Sequence, residues 1–244
     1  MRTFIFAGPS LPPAARACLP GVVWLPPAAQ GDVYRTACTG PAAIGLVDGY
    51  FGSVASVWHK EILWALERGI HIYGAASIGA LRAAELEAFG MHGIGVIFAA
   101  YRDGMLEDDD EVALLHGPAE TGYLPLSEPM VNFRSSFAAA VRANVLTESQ
   151  CSLMVGCAKA LLYQERRLSA VLTIAERCGL GLQVTADINA WWPDGRVDQK
   201  RLDALALQER IADHLANPLP PFEPRWRLAR TAQWETARQR VDAG

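Results

Sequence analysis

The sequence predicts an α/β fold: a mostly parallel, Rossmann-like three-layer sheet in the N-terminal half, followed by a mainly helical C-terminal part. Three observations lead to this prediction. Short apolar segments alternate with amphipathic ones up to residue 89, the loops after the apolar segments hold Gly, Pro, Ser and Asp, and almost every segment after Met130 has helical periodicity. Strands that alternate with helices build parallel sheets that are covered on both faces.

Four strands are predicted in the first half, within an expected parallel sheet of four or five strands at residues 3–100. They are FIFAG (4–8), VVWL (22–25), the start of AIGLVDGYF (43–51) and IHIY (70–73). Each is a short apolar segment that stops at Gly, Pro or Asp-Gly, the residues that most often end a strand.

The helices are predicted from apolar spacing and from residues that end helices. In the first half they lie at 32–38, at 54–68, where Gly69 closes the helix, and at 77–89. The second half adds helices at 93–104, 131–145, 147–164, 168–178 and 198–216. We expect a core domain at 1–145, a helical extension at 146–216, and a Pro- and Arg-rich tail at 217–244 that wraps over the surface or docks on a partner.

Composition argues against several classes of protein. The chain of 244 residues is 51% hydrophobic, and its net charge of −4 does not favour nucleic acid or an anionic membrane surface. No apolar run reaches the roughly 18 residues of a membrane-spanning helix, and MRTFIFAG is interpreted as a first strand rather than a signal peptide. The five cysteines form no Cys-x-x-Cys pair. We therefore expect a reduced, cytoplasmic protein without a disulfide framework or a zinc site.

Unusual residues gather at the ends of three predicted strands. Gly8, Pro9 and Ser10 follow the first strand, Asp48 and Gly49 end the third, and the stretch GAASIG (74–79) joins the fourth to a helix. In an open parallel sheet, ligands bind outside the carboxyl ends of the strands. We therefore expect Gly8, Ser10, Asp48, Gly49 and Ser77 to line one pocket at that edge.

Ser77 has two interpretations. A serine among small residues on a turn from strand to helix resembles the nucleophile elbow, G-x-S-x-G, although Ala75 stands where the first Gly belongs. Ala76 and Gly79 are small enough for such a turn, and the N–H groups of Ile78 and Gly79 could hold an oxyanion at the start of the helix. The alternative is that Ser77 only caps the helix.

A nucleophilic serine needs a base, and the helix at 54–68 offers His59 or, as a lysine of lowered pKa, Lys60. Asp48 is the expected third group, because Glu61 lies two residues from His59 and points away from it on a helix. Alternatively, His59 is a solvated or capping imidazole, and Lys60 and Glu61 belong to a solvated helix face.

Two further charged features were considered. Arg82 and Glu85 are three residues apart on the helix after Ser77, so they can pair, or Arg82 can bind a carboxylate of the substrate. The acidic stretch 107–111 has no ligating His and no Gly-containing calcium loop. We expect a solvated start of a helix there, and we expect neither a metal nor a cofactor.

A series of motifs runs through roughly residues 3–145. In order they are GPS (8–10), PPAAQGD (26–32), DGYF (48–51), HKEIL (59–63), GAASIGALRAAEL (74–86), FGMHGIGVIF (89–98) and DDDEVAL (108–114). Their order and length make the chain similar to the TfuA family. Residues after about 150 match nothing in that resemblance.

The resemblance implies an accessory role in the biosynthesis of peptide natural products. TfuA proteins are partners of YcaO enzymes, which use ATP to phosphorylate a peptide amide oxygen before a sulfur nucleophile displaces the phosphate. The resemblance further implies that the TfuA partner supplies the sulfur, from a ThiS-like carrier with a C-terminal thiocarboxylate. The implied partners are the YcaO enzyme, the carrier and, indirectly, the precursor peptide, and the chain could also form a homo-oligomer.

Two functions follow from these observations. In the first, the chain is a thiocarboxylate hydrolase: Ser77 attacks the carrier and His59 or Lys60 takes the proton. The residues expected to contact the substrate are Gly8, Pro9, Ser10, Gly49, Ala76, Ile78, Gly79, Arg82 and Glu85. In the second, the chain is a non-catalytic adaptor that recruits carrier or peptide to the YcaO enzyme and activates it allosterically. A cysteine persulfide is a competing sulfur chemistry, but no Cys lies within the motifs.

Overall fold

The computed structural model describes residues 2–52 and 54–243. It divides into two compact units. Unit 1 comprises Met1–Glu107 and Arg201–Gly244, and unit 2 comprises Asp108–Lys200. No helix of the described residues is long and apolar enough to cross a membrane.

Unit 1 contains a five-stranded sheet in the order β2-β1-β3-β4-β5, and every pairing is parallel. The strands are β1 (Thr3–Phe6), β2 (Val22–Leu25), β3 (Ala43–Leu46), β4 (His71–Ala75) and β5 (His92–Ile94). The predicted α/β fold with a parallel sheet is therefore confirmed. In particular, β3 and β4 pair in parallel, with Ala43 opposite His71.

The fifth strand lies where the sequence predicts the beginning of a helix at 93–104. The helix, α4, begins only at Val96. Two glycines explain the difference. A Cβ on Gly93 would lie 2.1 Å from the Phe98 ring, and Gly95 has a φ of 95° with Asp203 closely packed against it. A short apolar run of this kind fits a strand or a helix equally well by periodicity alone.

The other helices of unit 1 are α1 (Asp32–Ala37), α2 (His59–Glu67), α3 (Ile78–Leu86), α9 (Gln199–Ala216, of which 201–216 belong to unit 1) and α10 (Ala232–Ala243). The predicted helix at 54–68 was too long at its start, because Trp58 has the extended backbone of an N-cap, with φ −90° and ψ 141°. Its N–H donates to the Glu61 side chain at 3.1 Å, which fixes the first turn of α2.

One face of the sheet is covered from an unexpected part of the chain. The connections β2–β3, β3–β4 and β4–β5 all advance in one direction across the sheet, so right-handed crossovers place α1, α2 and α3 on the same face. The β1–β2 connection holds only a short 3₁₀ helix, Pro13–Ala15. Leu207 and Ile211 of α9 are fully buried in one core cluster with Ile5 and Val47, so α9 covers the second face.

Unit 2 is mainly helical, as predicted. Its helices are α5 (Met130–Arg142), α6 (Glu148–Lys159), α7 (Leu168–Arg177) and α8 (Leu182–Gly195). Phe133 and Phe137 stack at 5.3 Å and both contact Trp192 of α8. The sequence analysis missed α8, because Gly residues precede it and Pro193 lies inside its last turn, both of which are signals for a loop.

The acidic stretch 107–111 matches the predicted solvated start of a helix only in part: Glu107, Asp108 and Asp109 are exposed and Asp109–Glu111 form a short 3₁₀ helix, but Asp110 is only partly exposed and Glu111 is buried. Glu111 is only 2% exposed and accepts two hydrogen bonds of 2.8 Å from Arg134. The carboxylates of Asp108, Asp110 and Glu111 surround the Lys159 ammonium. Asp108, Asp110 and Glu111 are therefore the acidic half of an ion-pair network inside unit 2.

The tail lies against unit 1. The N–H of Phe222 donates to the Gly69 carbonyl at 2.9 Å, and the indole N–H of Trp226 donates to the Phe89 carbonyl at 3.0 Å. The N–H of Leu228 donates to the Glu67 carboxylate at 2.8 Å. Beyond these contacts the tail ends in α10, a helix that the sequence analysis did not predict.

Candidate functional site

The strand order changes direction between β1 and β3, since β2 lies on one side of β1 and β3 lies on the other. At such a switch point, open α/β sheets bind ligands outside the carboxyl ends of the strands. The Asp48 carboxylate occupies this position. Its Oδ2 accepts the N–H groups of Gly8 at 2.8 Å and Ser10 at 3.0 Å, and its Oδ1 accepts the Ser10 hydroxyl at 2.6 Å.

These hydrogen bonds give Asp48 different partners from the one expected. Asp48 is 1% exposed and Ser10 is 3% exposed. The buried Asp48 carboxylate therefore holds the loop that contains Pro9, and we call its hydrogen bonds to Gly8 and Ser10 the Asp48 clasp. The sequence predicts Asp48 as the partner of His59, but the His59 imidazole is hydrogen-bonded to Glu85 instead. The clasp joins the first and third strand ends.

The third and fourth strand ends also meet. A Cβ on Gly49 would lie 2.7 Å from Cγ2 of Ile78 and 2.8 Å from the Ala28 carbonyl oxygen. Only a glycine allows this approach. Contacts therefore link the loop after β1 to the loop after β3, and the loop after β3 to the turn that carries Ser77.

The turn between β4 and α3 shows why its residues are small. A Cβ on Gly74 would lie 2.2 Å from the Gly79 carbonyl oxygen, and a Cβ on Gly79 would lie 1.7 Å from the Leu46 carbonyl oxygen. Ala76 has a φ of 66°, in the left-handed region that residues with a Cβ rarely adopt. The strained position of the turn is thus Ala76, one residue before the serine.

Ser77 occupies the N-cap position of α3, but its hydroxyl makes no capping hydrogen bond. The side chain is mostly buried, since the residue is 7% exposed. The Gly79 N–H donates to the Val47 carbonyl at 3.3 Å, so it is already engaged and is a poor oxyanion donor. Ile78, the first residue of α3, has no carbonyl within the helix for its N–H, and it remains the donor nearest to Ser77 in sequence.

His59 is paired with Glu85, a partner that the sequence analysis did not anticipate. Nε2 of His59 lies 2.8 Å from Oε2 of Glu85, and Arg82 donates to the same oxygen at 2.7 Å. Arg82 also donates to the Val57 carbonyl at 2.9 Å. Burial raises the pKa of Glu85, but hydrogen bonds from His59 and Arg82 outweigh burial and leave that pKa below its ordinary value.

The candidate bases are not in contact with Ser77. Glu85 lies eight residues beyond Ser77, which corresponds to about 12 Å along α3 at 1.5 Å per residue, and His59 is held at the level of Glu85. The Lys60 ammonium donates to the Ala229 carbonyl of the tail. Ser77, His59 and Lys60 therefore all belong to unit 1, but among the described residues they share no hydrogen-bond partner.

A cavity of about 250 Å³ lies beside this edge, and the sequence analysis did not find it. Its wall includes Tyr34, Trp58, Glu61 and Trp234. Glu61 is 2% exposed and accepts the N–H groups of Trp58 and Tyr34, so it does not belong to a solvated helix face. Burial raises the pKa of Glu61. In the sequence, this cavity is indicated only by Trp58 standing directly before His59, Lys60 and Glu61.

Within the described residues, one group of side chains has the spacing of a cation site: the carboxylates of Asp108, Asp110 and Glu111, whose oxygens lie within 4.8 Å of one another. The Lys159 ammonium lies 3.0 Å from Asp108 and 3.1 Å from Glu111 and also contacts Asp110. The network thus already contains its own cation, and the group supplies no argument for a metal.

Comparison with known proteins supports the resemblance found in the motifs. Residues 48–167 match the profile of the family described as TfuA-like protein. The match begins at Asp48, includes the Ser77 turn and the His59–Glu85 pair, and extends past residue 145 into α6 and the loop after it. No curated protein matches the chain. The family supports an accessory role in the YcaO and thioamide system in general terms, and residues 48–167 of this chain are similar to TfuA-like proteins.

Proposed function

We propose that the chain supplies sulfur to a YcaO enzyme by hydrolysing a thiocarboxylated, ThiS-like carrier protein and releasing sulfide. The observation that carries this proposal is the Ser77 turn. Its glycines pack against backbone oxygens, its strained residue is Ala76, and the serine hydroxyl is not used to cap α3. A serine held on such a turn without a capping hydrogen bond is suited to nucleophilic attack.

In the proposed reaction, Oγ of Ser77 attacks the carbon of the thiocarboxylate and its proton passes to a base. The tetrahedral intermediate then collapses, the base returns the proton to the sulfur as the C–S bond breaks, and hydrosulfide leaves. Water cleaves the resulting ester, which frees Ser77 and leaves the carrier with an ordinary carboxylate. The net reaction is hydrolysis of a thiocarboxylate to a carboxylate and sulfide, and it consumes one water.

His59 is the base that the geometry favours. A carboxylate can only accept, so Nε2 of His59 carries the hydrogen in the contact with Glu85. A neutral imidazole in this tautomer presents Nδ1 as a proton acceptor. Glu85 thereby takes the orienting role that the sequence analysis assigned to Asp48. Ser77 and Glu85 lie about two turns apart on the same helix, so we propose that the proton passes from Ser77 to His59 through intervening water rather than by direct contact.

Sulfide is a good leaving group, so the first step places a modest demand on the base and on the oxyanion site. The Ile78 N–H is the proposed oxyanion donor, and one such donor contributes about 3 kcal/mol in comparable sites. Arg82, whose guanidinium already binds the Val57 carbonyl and Glu85, is proposed to fix His59 and Glu85 and to attract the negative charge of the thiocarboxylate.

The proposal is tested by incubating the purified protein alone with a thiocarboxylated carrier, while sulfide and carrier mass are followed. Ser77→Ala should reduce sulfide release to the background rate and leave carrier binding nearly intact, because only the nucleophile is lost. Ser152→Ala is the matched control, since that exposed hydroxyl bonds to the Glu148 carbonyl within α6. Release by Ser77→Ala at the wild-type rate would remove the nucleophile from the proposal.

The second candidate function is that of a non-catalytic adaptor that brings carrier or peptide to the YcaO enzyme. The low exposure of Ser77, 7%, favours it, because a buried hydroxyl is difficult for a protein-bound thiocarboxylate to reach. An adaptor should stimulate thioamide formation equally well as the wild type and as the Ser77→Ala variant. A coupled assay with the YcaO enzyme and free sulfide as donor separates the two functions, since only the adaptor is still required there.

A further inference from the structure

A cavity of about 250 Å³ lies at the carboxyl edge of the sheet, next to the Asp48 clasp. The loop after β2 and the segment before α2 form one side of it, joined by a 2.9 Å hydrogen bond from the Ala28 N–H to the Asp48 carbonyl and a 2.8 Å one from the Gln30 N–H to the Ala55 carbonyl. Helix α10 forms the other side, where Tyr34 donates to Asp242 at 2.9 Å. All of these residues belong to unit 1.

Three aromatic rings contribute to the wall of this cavity, and Trp58 is the most exposed of them, since Tyr34 is 3% and Trp234 is 2% exposed. The Trp234 ring lies 5.6 Å from Tyr34 in an edge-to-face arrangement and 6.1 Å from Trp58 at an interplanar angle of 60°. Small and branched apolar side chains complete the wall: Val54, Ala55, Ala237 and Val241. Pockets for drug-sized ligands are typically about 300–1,000 Å³, so this cavity suits a single ring rather than a large ligand.

The charges at the cavity favour an anionic group on that ring. Arg238 is already paired with Glu235 at 2.8 Å. Arg240 also lines the cavity and is exposed, and within the described residues it forms no ion pair or hydrogen bond. Two carboxylates oppose an anion here. Asp242 accepts the Tyr34 hydroxyl, and Glu61 is 2% exposed with oxygens that accept backbone N–H groups. Burial raises the pKa of Glu61.

We infer that this cavity binds an aromatic ring that bears a carboxylate, with the ring against the partly exposed Trp58 and the carboxylate on the Arg240 guanidinium. A guanidinium and a carboxylate match in geometry and form two parallel hydrogen bonds. The ligand is either a free aromatic acid or a peptide whose C-terminal residue is aromatic, because both present the same two groups. This site is separate from the Ser77 chemistry and does not depend on the proposed hydrolysis.

Isothermal titration calorimetry with the full chain tests this inference directly. Phenylacetate should bind, and phenylacetamide, which has the same shape without the charge, should bind at least about tenfold more weakly, as charge-assisted hydrogen bonds predict. A short peptide that ends in Phe with a free carboxylate is compared with its C-terminal amide. Tighter binding of the peptide acid than of phenylacetate identifies a peptide terminus as the ligand, and the reverse identifies a free acid.

Two variants test whether phenylacetate binds in this cavity. Ala237→Leu fills the cavity and Arg240→Gln removes the proposed carboxylate partner, and each should weaken binding of phenylacetate by about tenfold or more. Arg230→Gln, an exposed tail arginine that does not line the cavity, should leave the affinity unchanged. Arg240 is exposed, so its variant is informative even if Ala237→Leu disturbs α10. The inference fails if no acid binds at up to about 10 mM, if acid and amide bind equally, or if Arg240→Gln binds like the wild type.

Discussion

At the scale of single residues, the pairing of His59 with Glu85 has the sharpest chemical consequence. If His59 is the base, His59→Ala should slow sulfide release by about 10²–10⁴-fold. Glu85→Gln keeps the size of the side chain but cannot stabilise the imidazolium, and it should slow release by about tenfold or more. Glu87→Gln, an exposed carboxylate beyond the end of α3, is the matched control. Full activity of both His59→Ala and Glu85→Gln would exclude this pair from catalysis.

Gly79 is the residue on which the Ser77 turn depends most. An added Cβ would lie 1.7 Å from the Leu46 carbonyl oxygen, and that atom is backbone, so neither side can move without disturbing β3 or α3. We expect Gly79→Ala to destabilise the protein by about 3 kcal/mol or more, measured as a fall in the midpoint of urea unfolding. Gly156→Ala in α6 meets nothing within 4 Å and should stabilise by roughly 0.5–1 kcal/mol. Equal effects of the two variants would contradict this account.

At the scale of elements, α9 covers the face of the sheet that a helix between β1 and β2 would otherwise cover, since that connection holds only a 3₁₀ helix. Leu207 is fully buried, and its Cδ2 would lie 3.1 Å from a Cβ on Gly45. Leu207→Ala should therefore cost about 2–5 kcal/mol, the usual cost of emptying a well-packed site. Leu202→Ala on the same helix, at a side chain that is 52% exposed, should cost less than about 0.5 kcal/mol. Unfolding in urea, followed by tryptophan fluorescence, would show whether the two variants differ as expected.

The elements that the sequence predicted share a strong local signal. Apolar runs that end in Gly, Pro or Asp-Gly are sufficient to identify β1 to β4, and the small residues at 74–79 identify the turn that carries Ser77. Helix α10 has no comparable signal, because its residues are mostly polar and it forms where Trp234 is buried against Tyr34, 200 residues away in sequence. Local periodicity contains no information about contacts between residues that are far apart in sequence. The cavity and the hydrogen bond between His59 and Glu85 depend on such contacts, so they could not be predicted either.

At the scale of the whole molecule, three histidines, His71, His92 and His214, connect segments that are distant in sequence. His71 lies at the start of β4, with Nδ1 3.4 Å from Nε2 of His92 in β5. Its Nε2 donates to the carbonyl of Pro220 in the tail at 2.8 Å. His214 of α9 is hydrogen-bonded to the Tyr73 hydroxyl at 3.0 Å. The cluster therefore connects the amino ends of two strands, α9 and the tail.

Because of this histidine cluster, we expect the free energy of unfolding to decrease at acidic pH. Burial, followed by the positive charges of His71 and Arg210, lowers the pKa of His92 and of His214. A basic group with a lowered pKa in the folded state stays neutral there while the unfolded chain takes up its proton. Its contribution to stability is thus complete above the unfolded pKa of about 6.5 and is lost as the pH falls below that value toward the folded pKa.

The expected result is a melting temperature that falls between about pH 7 and pH 5, measured by scanning calorimetry at constant ionic strength. His92→Phe keeps a flat ring beside Tyr73, where the native rings stack at 4.8 Å, and removes one of the two groups that must stay neutral. Its melting temperature should depend less steeply on pH than that of the wild type, since fewer protons are taken up on unfolding. His116→Gln changes a histidine of unit 2 outside the cluster and is the control. A wild-type slope in His92→Phe would mean that other groups, such as paired carboxylates, govern the loss of stability in acid.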